Sequence, residues 1–244
     1  MPDPFIHFDA VHKAIKGNTI IEEVNLQVCR GKIVALCGGN GAGKSTLLRM
    51  LVGILRPSSG VITIDGRSSE EDRRQYANLL GFMPDDYRFS AGLTAMDTML
   101  FWAKLRGLGK ARTQETLSMV GLADTGSKPV TSFSKGMRQR LLFGQALLAQ
   151  PPLIVMDEPT NGLDPYWMES FVKLVKQAAD RGQTVVFSTH QLPIAEALAD
   201  RIVFLRDGVV VQDIEKEDIH NKFGSSSLQE AFNELFGIPM FSSK

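Results

Sequence analysis

Residues 38–45 read GGNGAGKS, directly after the run IVALC at 33–37 and directly before STLLRMLVGIL at 45–55. A continuous β-branched and apolar run predicts a strand buried on both faces, which belongs to a parallel sheet. The stretch after the glycines has helical character. Strand, glycine loop and helix in immediate succession commit the chain to an α/β architecture. The loop matches G-x-x-x-x-G-K-[ST]. Its glycines let the backbone curl until several N–H groups face one anion-sized hollow. The positive end of the following helix points at the same place. Lys44 has the reach to bind β- and γ-phosphates, and the Ser45 hydroxyl suits Mg²⁺. Gly38, Gly39, Asn40, Gly41, Ala42, Gly43, Lys44, Ser45 and Thr46 are therefore the expected phosphate-binding residues. A glycine-rich turn carrying a surface lysine is the competing reading. The strand before it and the helix after it count against that.

A second apolar run, LIVM at 153–156, ends in Asp157 and Glu158. Ligands of open α/β sheets bind at the carboxyl ends of strands. Asp157 there can hold Mg²⁺ directly or through water. Glu158, one residue on, is free to orient or deprotonate an attacking water. An acidic helix cap before Pro159 is the alternative, weakened by the phosphate loop upstream. In SFSKGMRQR at 132–140 a serine–glycine turn opens a helix. Its first N–H groups can bind an anion, although an ordinary capped helix explains this segment equally well. TVVFS at 184–188 reads as a buried strand. His190 sits just past its end, a position that gives weight to a residue type more often structural.

The rest of the chain fills in around these segments. FIHF at 5–8 and VNLQV at 24–28 alternate as strands about a turn at KGN, 16–18. VITI at 61–64 is a strand closed by Asp65-Gly66. Between about 86 and 133 the β-branched runs stop and Leu, Met, Ala, Lys and Arg dominate, which predicts a helical insertion. Within it, residues 94–108 form a helix with Thr94 as N-cap and Gly107 as stop, and a second helix covers 113–120. The α/β pattern resumes with a helix near 166–180 and a hairpin of IVFL at 202–205 with VVVQ at 209–212. An amphipathic helix falls in the tail, about 225–244. The chain thus reads as one domain of 244 residues with an insertion.

Lys+Arg and Asp+Glu both number 27, so the formal net charge is zero. The global basic field of a nucleic-acid binder is absent, and no nucleic-acid partner is expected. Two cysteines, Cys29 and Cys37, exclude a disulfide scaffold and point to reduced thiols. The N-terminus lacks the basic and apolar regions of a signal peptide, and no apolar run reaches 18 residues. A role at a membrane requires another chain to span it.

Taken together, these motifs resemble the ATP-binding subunit of ABC transporters over nearly the whole length. GGNGAGKST resembles the Walker A loop, FSKGM the signature, LIVMDEP the Walker B strand, NGLD at 161–164 the D-loop and STH at 188–190 the H-loop, in the family's order and spacing. The basic SKGMRQR signature is similar to those serving ABC-2-type exporters. SKGMRQRL and HQLP are similar to the ATPase of the copper-processing transporter that matures nitrous oxide reductase. The resemblance implies an α/β P-loop NTPase core with a mainly parallel sheet, an N-terminal antiparallel β subdomain and an inserted helical subdomain. It also implies ATP and Mg²⁺, and two copies (or a copy and a homologous cassette) dimerising head to tail around the nucleotide. A separate transmembrane permease would be driven from the cytoplasmic face of the membrane, with export as the expected direction. Implied catalytic residues are Glu158, His190 and Lys44. Ser45 and Asp157 would serve the metal. Ser134 and Gly136 would cover the γ-phosphate held by the partner.

Two positions depart from the family. Alignment on EEVNLQV puts Ile15 where an aromatic residue usually stacks on adenine, leaving apolar contact, with His12 and Phe8 as nearby rings. Asp85, in LGFMPDDYRF, occupies the place of a glutamine. It can reach Mg²⁺ or its water, but as a carboxylate it accepts hydrogen bonds and donates none. The groove between residues 85–89 and the insertion is the expected seat of a cytosolic permease helix. Among other enzyme classes, DNA-repair relatives need a long coiled coil, and no sustained heptads occur. Translation factors carry two cassettes in one chain, and one Walker A is present. A kinase explains the P-loop but neither FSKGM nor STH. A nucleotide-gated module that barely hydrolyses ATP conflicts with the intact Asp157–Glu158 pair.

Overall fold

A computed structural model describes residues 4–223 and 228–236. Two sheets carry the fold. The first is antiparallel in the order β2-β1-β4-β5, from β1 (Ile6–Ile15), β2 (Asn18–Val28), β4 (Ser59–Ile64) and β5 (Arg67–Ser68). The second has the order β10-β9-β3-β8-β7-β6 and comprises β3 (Ile33–Cys37), β6 (Leu80–Met83), β7 (Leu153–Met156), β8 (Thr184–Thr189), β9 (Arg201–Arg206) and β10 (Val209–Glu215). Its strands run parallel from β9 to β6, and β10 closes the edge as an antiparallel hairpin.

Helices cover this second sheet on both faces. They are α1 (Lys44–Leu51), α2 (Arg73–Asn78), α3 (Ala95–Leu105), α4 (Lys110–Met119), α5 (Lys135–Leu147), α6 (Pro165–Asp180), α7 (Leu192–Leu198), α8 (Ile219–Phe223) and α9 (Leu228–Phe236). The continuous apolar runs are buried on both sides because successive residues face different cores. Val34, Leu36, Val155 and Val186 pack with Leu47, Leu48 and the antiparallel sheet. Ala35, Cys37, Met156 and Phe187 pack toward α3, α5 and α6.

Several boundaries differ from the sequence expectation. β1 and β2 are longer than the short strands read from their alternation, because bulges let polar residues such as Lys13 pair in the hairpin. α1 stops at Leu51 and not near 55, since Gly53 turns the chain at φ +72°. The helix expected at 113–120 starts at Lys110, behind Gly109 as its cap. Thr94 caps α3 as expected, and Asp97 completes the capping box. Of the expected tail helix, α9 is seen packed on the core through Leu228 and Ala231. The rest of the span, 225–227 and 237–244, lies outside the described residues. Among the described residues no helix is long and apolar enough to cross a membrane.

Candidate functional site

The carboxyl ends of β3, β6, β7 and β8 converge on one cleft of about 580 Å³. Its walls include residues 40–46, Asp85, Glu158 and His190, so the phosphate loop, the acidic strand end and the histidine meet as expected. The loop between β3 and α1 is held tightly. Gly43 has φ +100°, and a β-carbon there would stand 2.5 Å from Ile21 Cδ1. Only glycine fits. No side chain caps the N-terminus of α1, which leaves the first amides of the helix without a side-chain acceptor and available to an anion.

Lys44 folds back across this loop. Its Nζ donates to Gly38 O at 2.8 Å and Gly39 O at 3.1 Å, and lies 3.5 Å from Glu158 Oε1. Gly38 and Gly39 thus act through their carbonyls, and do not line the cleft itself. Asp157 anchors the floor. Its N–H donates to Met83 O, and its Oδ1 accepts from Ser45 Oγ at 2.9 Å and Ser188 Oγ at 2.6 Å. The Ser188 oxygen in turn accepts the Glu158 N–H at 2.9 Å. Glu158 adopts φ +46°, a left-handed conformation that costs about 1–3 kcal/mol outside glycine. There its carboxylate bridges Lys44 and His190, whose Nδ1 lies 2.9 Å from Glu158 Oε2. Beneath the loop, Cys37 is fully buried. Desolvation pushes its thiol up to about 12, with the Lys44 charge opposing and the Glu158 charge adding.

Ser45, which lines the cleft, and the Asp157 carboxylate, 2% exposed and hydrogen-bonded to it from behind the lining, form a hard-oxygen pair. One carboxylate, one hydroxyl, and remaining positions filled by phosphate oxygens and water suit Mg²⁺. Among the described residues no group of three or more His, Cys, Asp or Glu side chains could hold a metal alone. The donor set fits a cation that arrives with a phosphate. Asp85 also faces the cleft, where Asn161 Nδ2 donates to its Oδ1 at 3.3 Å.

Other expected residues lie elsewhere. Ser134 caps α5 by accepting from the Met137 N–H, and a β-carbon on Gly136 would meet Gly162 O at 2.9 Å. Neither lines this cleft. Ile15 ends β1, 41% exposed, also outside the lining. The apolar side chain from this hairpin that does line it is Ile20. Sequence reasoning missed Ile20, Ser188 and Asn161. The latter two stood inside the quoted motifs FSTHQL and NGLD and were legible there as polar neighbours of strand ends.

The family described as ABC transporter matches residues 21–161, more than half of the chain. The chain belongs to the ABC transporter family. The cassette is 35% identical to the lantibiotic transport ATP-binding protein SrtF of Streptococcus pyogenes, over 91% of this chain and 93% of that one. It is 32% identical to the linearmycin resistance ATP-binding protein LnrL of Bacillus subtilis (strain 168), over 93% and 75%. Among solved structures, a bacterial ABC transporter cassette in dimeric form superposes with a TM-score of 0.80 at 27% identity, over 86% and 98%. That cassette is also known in a post-hydrolysis state bound to ADP and Pi. The chain is an ABC ATP-binding subunit and an ATPase of transporter type.

Proposed function

We propose that this cassette hydrolyses ATP at the Glu158 carboxylate, within a head-to-tail dimer that drives a transmembrane permease. The observation that carries the chemistry is the placement of Glu158. A buried carboxylate, fixed by a strained backbone and held between Lys44 and His190, faces a cleft floored by phosphate-binding amides. Glu158 accepts a proton from water in line with the γ-phosphorus. Lys44 exchanges its loop carbonyls for the phosphates and stabilises charge on the transferring group. His190 steadies Glu158 and contacts the γ-phosphate. Mg²⁺, when bound, neutralises phosphate charge, and Ser45, Asp157 and Asp85 are the residues that would hold it.

Ser134 and Gly136 lie outside their own chain's cleft, which supports a role over a partner's nucleotide. ATP then joins two copies, and its cleavage removes contacts made only in the closed state. Residues 86–133 would act as the coupling insertion of a single domain spanning 1–244. Around its groove Tyr87, Phe89 and Trp102 form an edge-to-face cluster, and Phe101 and Leu105 stand 57% and 69% exposed. Exposed apolar surface of this kind suits a permease helix at the cytoplasmic face of the membrane. Relatives named for lantibiotic transport and linearmycin resistance support export.

Phosphate release by purified protein, compared with Glu158→Gln, tests the chemistry. Turnover should drop at least about 100-fold, the scale of a lost general base. Equal release would eliminate Glu158. Crosslinks from Tyr87 or Phe101 to a co-purified permease test the coupling surface, and their consistent absence would refute it.

A further inference from the structure

We propose that Asp85 selects the chemical form of the substrate, so that the cleft takes a nucleoside triphosphate as its complex with a divalent cation and turns away the metal-free anion. The inference rests on the ATPase reading above and adds to it a specificity-determining residue. A fully ionised triphosphate needs positive charge from its site, and the side chains here supply little. Lys44 is the one lysine or arginine in the lining, and its ammonium already lies 3.5 Å from Glu158 Oε1. Asp85 adds a second carboxylate to the lining, and Asp157 stands behind it, 2% exposed. The polar side chains of Asn40, Ser45, Thr46 and Asn161 are uncharged. Even a protonated His190 would only bring the lining to balance, with the Asp157 charge left over. The loop amides and the N-terminus of α1 attract phosphate oxygens whether or not a metal accompanies them, so they do not tell the two forms apart.

Asp85 is placed to do so. Glu158 is engaged by Lys44 and His190, and Asp157 by Ser45 and Ser188. Asp85, exposed just past the end of β6, accepts one hydrogen bond from Asn161 Nδ2 at 3.3 Å. Among the described residues no cation pairs with it. Asp86 and Arg88 of the same loop lie outside the lining. An uncompensated carboxylate repels bare phosphates across the cleft. Toward a phosphate–metal complex its sign of action reverses, because a bound cation is the largest local charge and the carboxylate oxygens are ligands it prefers. A neutral amide at this position would repel neither form.

The test is calorimetric titration of the full chain with the non-hydrolysable analogue adenylyl imidodiphosphate, in Mg²⁺ and in EDTA. The unsubstituted protein should bind the Mg²⁺ form at least about tenfold more tightly. Asp85→Gln should tighten binding in EDTA by about 3–10-fold, the scale of one exposed charge acting through solvent, and this gain should shrink in about 0.5 M KCl. In Mg²⁺ the same variant should bind no tighter than the unsubstituted protein. Asp86→Asn makes the same charge change outside the lining and should leave both affinities within twofold. The proposal is overturned if Asp85→Gln leaves the EDTA affinity within twofold, tightens binding equally in both media, or is matched by Asp86→Asn. Any of these results leaves the ATPase reading standing. Absence of binding by both proteins in Mg²⁺ overturns both.

Discussion

The Ser45 hydroxyl lies 2.9 Å from Asp157 Oδ1, joining the first turn of α1 to the end of β7 across 112 positions of sequence. Ser188 reaches the same oxygen from β8, so three elements meet on one carboxylate. This junction sets the floor of the cleft.

Asp157→Asn keeps the shape but exchanges one acceptor oxygen for an amide and removes the charge. Catalysis should fall by at least about 100-fold, as expected when a charge-stabilising group is lost. The Mg²⁺ concentration for half-maximal activity should rise as well. Steady-state rates across a Mg²⁺ titration check both. An unchanged Mg²⁺ requirement would remove Asp157 from the metal site.

Ser188→Ala leaves the buried Glu158 N–H without its acceptor. An unsatisfied buried donor costs about 1–3 kcal/mol. At about 2–4 °C per kcal/mol for a chain of this size, thermal unfolding should come several degrees earlier. Turnover should fall further than stability explains, because the Glu158 turn loses its tether. Calorimetry and ATPase rates on the same preparation separate the two effects.

The phosphate loop, Asp157, Glu158 and His190 were legible because each sits at a strand end marked by an apolar run. Ile20 was not, since which hairpin residue faces the loop depends on bulges in β1–β2 pairing that periodicity does not reveal. The pairing of β1 with β4, which completes the antiparallel sheet, was equally hidden. It joins residues about fifty positions apart with no local signal. The ends of α1 and α4 were misread for a local reason. Glycines at 53 and 109 decide them, and neither looks different from a glycine tolerated inside a helix.

Gly81 in β6 lies against the backbone of α5, and a β-carbon there would stand 2.0 Å from Ala146 O. The obstacle is main chain, so it cannot rotate away. Gly81→Ala should destabilise by about 3 kcal/mol or more, in the range of severe overpacking. Urea unfolding followed by circular dichroism measures this. A loss below about 1 kcal/mol would contradict the close packing of β6 on α5.

Burial raises the Cys37 thiol to about 12, above its unfolded value. The folded state therefore holds this proton more strongly. The stability it contributes is complete below about pH 9 and declines as pH rises toward 12. Urea midpoints should fall between pH 8 and pH 10.5, and fall less in Cys37→Ala. A thiol reagent at pH 8 should label the exposed Cys29 in the native protein and reach Cys37 only after unfolding. Native labelling of both would contradict the burial.

The most direct test of the central claim is sedimentation velocity of Glu158→Gln with saturating ATP and Mg²⁺. The account predicts a shift from monomer to dimer, with two nucleotides retained per dimer and no shift when ADP replaces ATP. A protein that stays monomeric under these conditions, including with its permease present, would contradict it.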